Sequence, residues 1–281
     1  MRKLVPHMTR PKRSAGFLKY ALLLTLVSAA GIGGYLAWER WGGVEGGDDD
    51  EEGMGFLESV RVRVPIAAEP TAPRVIYLNR EGATLVAGND DSSQNSSSIV
   101  RNAGLSRAFA APFAGTPRRW NAIVECVRDR FEPFDVQVVD QRPMGRSYIM
   151  VMVGGHPSML DGGNEPPGAE HGHDYAHAAG LAPFNGQAVE DAVVLVFSRR
   201  LRENARRTCE VVSMEVGHAY GLDHSMHCGE LMSYLRPCGR RRFRDEDLPC
   251  GEQDARECDG VVGGTTQNSY RRLLSALGPS E

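Results

Sequence analysis

Residues 213–224 read Ser-Met-Glu-Val-Gly-His-Ala-Tyr-Gly-Leu-Asp-His, and no other segment constrains the chain as tightly. On an α-helix, residues four apart share a face, so Met214 and His218 point the same way with Glu215 beside them. Gly221 permits positive φ and a sharp turn, which would bring His224 back toward the same point from outside the helix. Two imidazoles, a thioether and a carboxylate are therefore expected to converge. Imidazole is a common metal ligand, and a carboxylate beside a metal-bound water can take its proton.

A second signature follows in Glu230-Leu-Met-Ser-Tyr, which holds Met232 and Tyr234. Together the two segments resemble the metzincin metallopeptidases, whose pattern is H-E-x-x-H-x-x-G-x-x-H followed by a Met-turn. Glu215, His218, Gly221 and His224 fall on register, and Met214 stands where the family has its first histidine. The resemblance covers roughly Arg74 to Tyr234. It implies an α+β, zincin-like catalytic domain: a twisted mixed sheet packed on helices precedes the site helix, and an edge strand aligns substrate. It further implies His218 and His224 as zinc ligands, Glu215 as the general base and Gly221 as the turn residue. Met232 would be the Met-turn residue and Tyr234 an auxiliary catalytic donor.

The departure at Met214 divides the functional readings. Catalytic zinc takes three protein ligands and leaves one position for water, whereas a thioether is soft and suits Cu(I) better. The chain reads as a zinc metalloendopeptidase homologue impaired by Met214 and acting on proteins or peptides. The alternative is an inactive pseudopeptidase that binds or scaffolds a protein partner. A minor alternative is a copper site built from Met214, His218 and His224. His171, His173, Asp174 and His177 cluster in a Gly/Pro-rich stretch. They read as a polar loop, as a second metal site, or as a source of the missing ligand. Asp223 and His227 are nearer in sequence, but the Gly221 bend is expected to turn Asp223 away, and His227 adjoins Cys228.

Six cysteines, Cys126, Cys209, Cys228, Cys238, Cys250 and Cys258, contain no C-x-x-C pair and read as disulfide partners in an exported chain. Export is also read from the N-terminus. Residues 1–19 form a basic, cytoplasmic n-region, and residues 20–38 an apolar signal peptide or transmembrane anchor. Both place the body outside the cytoplasm, secreted or held to the membrane. Residues 39–72 read as a flexible acidic, glycine-rich linker, 73–235 as the metzincin-like domain, and 236–281 as a cysteine-rich segment ending in a short helix. The net charge of −4 combines a basic N-terminus with an acidic body, which argues against nucleic-acid binding. Arg236, Arg240, Arg241, Arg242 and Arg244, with Phe243 among them, read as a solvated loop answering Asp245, Glu246 and Asp247, with a nucleic-acid patch as the alternative.

Local patterns predict the rest. Arg74–Asn79 and Ala83–Ala87 read as paired strands around Glu81-Gly82. Thr116 and Pro117 open a helix running to about Phe131. Strands are expected at Phe134–Val139, Ser147–Val153 and Ala192–Phe197, with a long loop over 154–186. The site helix should begin near Glu203, and a last helix, capped by Thr265 or Thr266, should end at Gly278. Asp90, Asp91 and Asn95 read as a polar loop, with calcium binding as the alternative.

Overall fold

The computed structural model describes residues 74–161, 175–260 and 263–281. The basic segment, the apolar run 20–38 and the linker therefore lie outside the described residues, as do His171, His173 and Asp174. Among the described residues, no helix is long and apolar enough to cross a membrane.

In chain order the elements are β1 (Val75–Asn79), β2 (Ala83–Ala87), β3 (Ser96–Ser97), α1 (Ser98–Asn102), β4 (Arg107–Ala110), α2 (Pro117–Phe131), β5 (Gln137–Val139) and β6 (Ile149–Val153). After 3-10 turns at Pro157–Leu160 and Tyr175–His177 come β7 (Gly180–Leu181), β8 (Val193–Val196) and α3 (Ala205–Ala219). The last part holds β9 (Leu248–Gly251), β10 (Ala255–Arg256), β11 (Thr266–Gln267) and α4 (Ser269–Leu277). This is a mixed α/β architecture.

The main sheet runs β5-β1-β6-β8-β7, parallel throughout except for β7, which pairs antiparallel with β8 at one edge. Every residue of β1, β6 and β8 is buried, as near-continuous Val/Ile/Met runs require when both faces are covered. One face, with Ile76, Val151 and Val194, packs on α2 and α3 through Trp120, Ile123, Val127, Val212 and Val216. The opposite face, with Tyr77, Met150 and Leu195, packs on Leu85, Val100 and Ala108 from β2, α1 and β4. Helices, main sheet and a small outer sheet thus form three layers.

Helix α2 begins as read from the sequence: Thr116 Oγ1 accepts from the Arg119 N–H at 3.3 Å, and Pro117 occupies the first turn. Asn204 caps α3 by accepting from the Arg207 N–H at 3.0 Å. All six cysteines are paired, as Cys126–Cys209, Cys228–Cys238 and Cys250–Cys258. The first bond ties α2 to α3 and so holds the helical layer to itself.

Several expectations are corrected. β2 does not pair with β1; it joins β3 and β4 in the outer sheet. β1 already has β5 and β6 on its two edges, and Gly82, at φ 74°, turns the chain away. The strand expected from Phe134 is confined to Gln137–Val139. Phe134 turns into the core instead, against Phe131, Phe243 and Tyr270 at ring separations of 6.4, 6.0 and 5.3 Å. The stretch read as one long loop contains edge strand β7, too short to carry a periodic signal. Asn268, not a threonine, caps α4, because Thr266 is taken into β11.

The C-terminal segment shares the main core: Phe243, Leu273 and Leu277 are buried in it. The arginines of its basic cluster are mostly exposed, and Arg244 pairs with Glu246 as the sequence suggested. Arg241 is buried and donates to the Ser233 and Leu235 carbonyls, while Arg240 pairs with Asp129. The Asp90–Asn95 loop is likewise satisfied from within: Arg142 donates to the Ser92 carbonyl and to Asn95 Oδ1, both at 2.5 Å.

The Cys126–Cys209 bond closes a long loop, with a sequence separation of 83. Replacing both cysteines by alanine should lower stability by about 3–5 kcal/mol. Urea unfolding checks this, and an unchanged midpoint would remove the bond from the account of the helical layer.

Candidate metal centre

The site is built where α3 ends. Met214, Glu215 and His218 lie on its final turns and are all buried. The helix stops at Gly221, whose φ is 85°, and the Leu222 N–H returns to the Gly217 carbonyl at 2.9 Å. Such a reversal through a left-handed residue is a common helix stop. A Cβ at position 221 would lie 2.7 Å from the Gln187 backbone nitrogen, so this turn needs glycine for space as well as for φ.

The reversal places the His224 ring 4.4 Å from that of His218, at an interplanar angle of 84°. Both Nδ1 atoms meet backbone carbonyls: His218 the Leu222 oxygen at 2.7 Å, His224 the Met232 oxygen at 3.3 Å. A carbonyl can only accept, so each Nδ1 carries the proton and each Nε2 keeps a lone pair. Metal-bound histidines are oriented by the same kind of contact.

Met232 lies beneath this pair. A Cβ on Gly217 would fall 2.6 Å from Met232 Sδ, so the small residue makes room for the sulfur under the helix. The Ser225 N–H also donates to the Met232 carbonyl at 3.0 Å. Tyr234 stands at the mouth, half exposed, with its ring 4.3 Å from His224. Phe184 meets His218 edge-on at 5.7 Å from the other side.

Glu215 lies against β7: a Cβ on Gly180 would sit 2.8 Å from Glu215 Oε1. Burial pushes its carboxyl from 4.5 up to about 8. Burial, helped by neighbouring His224, drives His218 down to about 3, so its imidazole is neutral at physiological pH. Burial likewise lowers His224. Tyr234 is raised to about 12 by burial and by the nearby Glu215 and Glu252 carboxylates, and so keeps its proton.

Asp223 turns away, into a clamp. Its carboxylate accepts from Arg256 Nη1 and Nη2 at 2.6 and 2.8 Å, from the Asp259 N–H at 2.7 Å and from the His224 N–H at 2.6 Å. Burial would raise this acid, but the hydrogen bonds from Arg256, Asp259 and His224 outweigh it and keep it ionised. Among the described residues, the three donors found within 4.8 Å of one another are Asp223, Cys250 and Cys258. They are no metal site, because both sulfurs are spent in a disulfide.

His218, His224, Met232 and Tyr234 thus meet around the Gly221 turn, with Glu215 buried on the same helix as His218 and against Gly180. Of the histidine cluster only His177 is described; it is exposed and bonded to Arg200 through its carbonyl and ring. Sequence reading missed Gly180 and Phe184, which follow no motif, and Glu252, whose Oε1 is 3.9 Å from His224 Nε2. The Cys250–Cys258 spacing was the one hint that a turn there is pinned in place.

The residues present fit a transition metal through two nitrogen donors, His218 Nε2 and His224 Nε2. Met214, one turn before His218, offers only a thioether. No protein-family model matches this chain, and no curated protein is significantly similar to it.

The shifted groups give a pH signature in metal-free protein. Between pH 4.5 and about 8, folded Glu215 holds a proton that the unfolded chain has released. Its contribution is therefore complete below 4.5 and is lost as pH rises. His218 acts oppositely: its contribution is present above 6.5 and is lost as pH falls toward 3. The stability of Glu215→Gln relative to wild type should therefore rise with pH, by up to about 1.4 kcal/mol per unit. Chemical unfolding of the chelator-treated proteins at pH 5, 6, 7 and 8 checks it; a difference independent of pH would contradict the assigned burial.

Proposed function

We propose that this chain is an exported, metzincin-like metallopeptidase homologue that holds zinc through His218 and His224 and binds extended polypeptide beside β7. The observation that carries the reading is the tautomer fixed on both imidazoles by the Leu222 and Met232 carbonyls. It leaves two Nε2 lone pairs free, and the helix that carries His218 also carries the buried Glu215 carboxyl. The order of the main sheet, with one antiparallel edge strand ahead of the site helix, agrees with the zincin-like arrangement. The three disulfides fit an oxidising compartment outside the cytoplasm.

Zinc, when bound, would polarise a carbonyl and lower the pKa of a water to near neutrality. The chain supplies the rest. Glu215 carries its proton at pH 7 in metal-free protein; a bound cation would draw that affinity down, and the carboxylate could then take a proton and return it to a leaving amine. Tyr234 keeps its hydroxyl proton and can donate a hydrogen bond to developing negative charge. β7 lies at the edge of the main sheet, where an extended peptide can add as a further strand. Gly180 keeps that strand close to Glu215. Phe184 and Tyr234 flank the entrance with aromatic surface.

One observation favours the pseudopeptidase reading. Met214 stands at the first ligand position and is buried within the main core. In that reading the peptide groove is kept and turnover is lost. Cleavage of a quenched fluorescent peptide library by the oxidised protein separates the two. Activity that falls about 100-fold or more in Glu215→Gln supports the enzyme. Equal rates in wild type and Glu215→Gln, with activity gained in Met214→His, support the binding module.

A further inference from the structure

We infer that Glu252, from the disulfide-closed turn between β9 and β10, is the third protein ligand of the metal centre and takes the part that Met214 cannot. The inference rests on the metal-site reading above. Glu252 Oε1 lies 3.9 Å from His224 Nε2. Two donors on one tetrahedral zinc are roughly 3.3 Å apart, given bonds of about 2.0–2.1 Å. The observed gap is wider than this, and His218, His224 and Glu252 do not all lie within 4.8 Å of one another, so uptake of an ion would draw the glutamate in. A two-histidine, one-glutamate set is also a known catalytic zinc ligation.

The position is a built one. The segment from His224 to Met226 is stitched to β9 by the Gly251 N–H to the His224 carbonyl at 3.2 Å and the Met226 N–H to the Pro249 carbonyl at 2.9 Å. The Cys250–Cys258 bond closes the turn that carries Glu252. Arg256 donates to Glu252 Oε1 at 2.7 Å and Oε2 at 3.3 Å while its guanidinium also grips Asp223. Asp223 in turn accepts from the His224 N–H. One arginine thereby keeps the candidate ligand near the histidine it would join, in the manner of outer-sphere partners in metal sites. A carboxylate has enough lone pairs to keep Arg256 and bind an ion as well. The Glu252 side chain is 38% exposed, which leaves it the freedom to rotate toward His218 as an ion is taken up.

Zinc affinity of the full, oxidised chain, measured by competition with a chromophoric chelator, tests the inference. Glu252→Ala and Glu252→Gln should weaken binding at least tenfold. Glu252→His should restore it, because imidazole can ligate where a mere charge partner could not be replaced this way. Met214→Ala should stay within threefold of wild type. X-ray absorption at the zinc edge of unmutated protein gives a readout free of folding effects. Only nitrogen and oxygen neighbours near 2.0–2.1 Å are expected, whereas a sulfur near 2.3 Å would overturn the assignment. Glu252→Ala binding as tightly as wild type would also overturn it while leaving the two-histidine site intact. No zinc bound by wild type would remove both readings together.

Discussion

Everything at this site depends on the chain reversal at Gly221. A helix carries His218 on a fixed face, and a second imidazole can approach it only if the backbone doubles back within one turn. Positive φ at Gly221 does this, and close contact with the Gln187 backbone leaves no room for a side chain. Without that turn, the Leu222 carbonyl would not meet His218 Nδ1, nor would His224 stand over Met232. Geometry and protonation state therefore come from one backbone event.

The layers around this reversal make it rigid. β1, β6 and β8 are buried on both faces, so α3 is pressed on a sheet that cannot shift without exposing core. The Cys126–Cys209 bond joins α3 to α2 across the same layer. From below, Met232 fills the space made by Gly217. From beyond the site, Glu230 ties the Met232 segment to the C-terminal part by accepting from the Met232 and Arg244 N–H groups at 3.4 and 3.0 Å. Burial raises that glutamate to about 7, against the pull of its hydrogen bonds. The C-terminal segment thus supports the site and is more than an appendage to it.

Much of the fold was legible in the sequence because its signals are local. Thr116-Pro117 announces α2, the all-apolar run at 149–153 announces a doubly covered strand, and Gly278 ends α4. The site helix and its glycine stop were legible for the same reason. What could not be read was non-local. The partner of β2 depends on which strands reach β1 first. β7 has only Gly180 and Leu181, and its role comes from lying against Glu215. Glu252 reaches His224 through a hairpin distant in sequence, with no motif spacing to advertise it. The pairing of six cysteines likewise needs three-dimensional proximity that composition does not contain.

The decisive measurement is a crystal structure of the oxidised protein grown with zinc, with anomalous differences collected on both sides of the zinc absorption edge. The account predicts one strong peak about 2.0–2.1 Å from both His218 Nε2 and His224 Nε2. A peak confined to the histidine-rich stretch around His177, or none at the two imidazoles with zinc in excess, would contradict it.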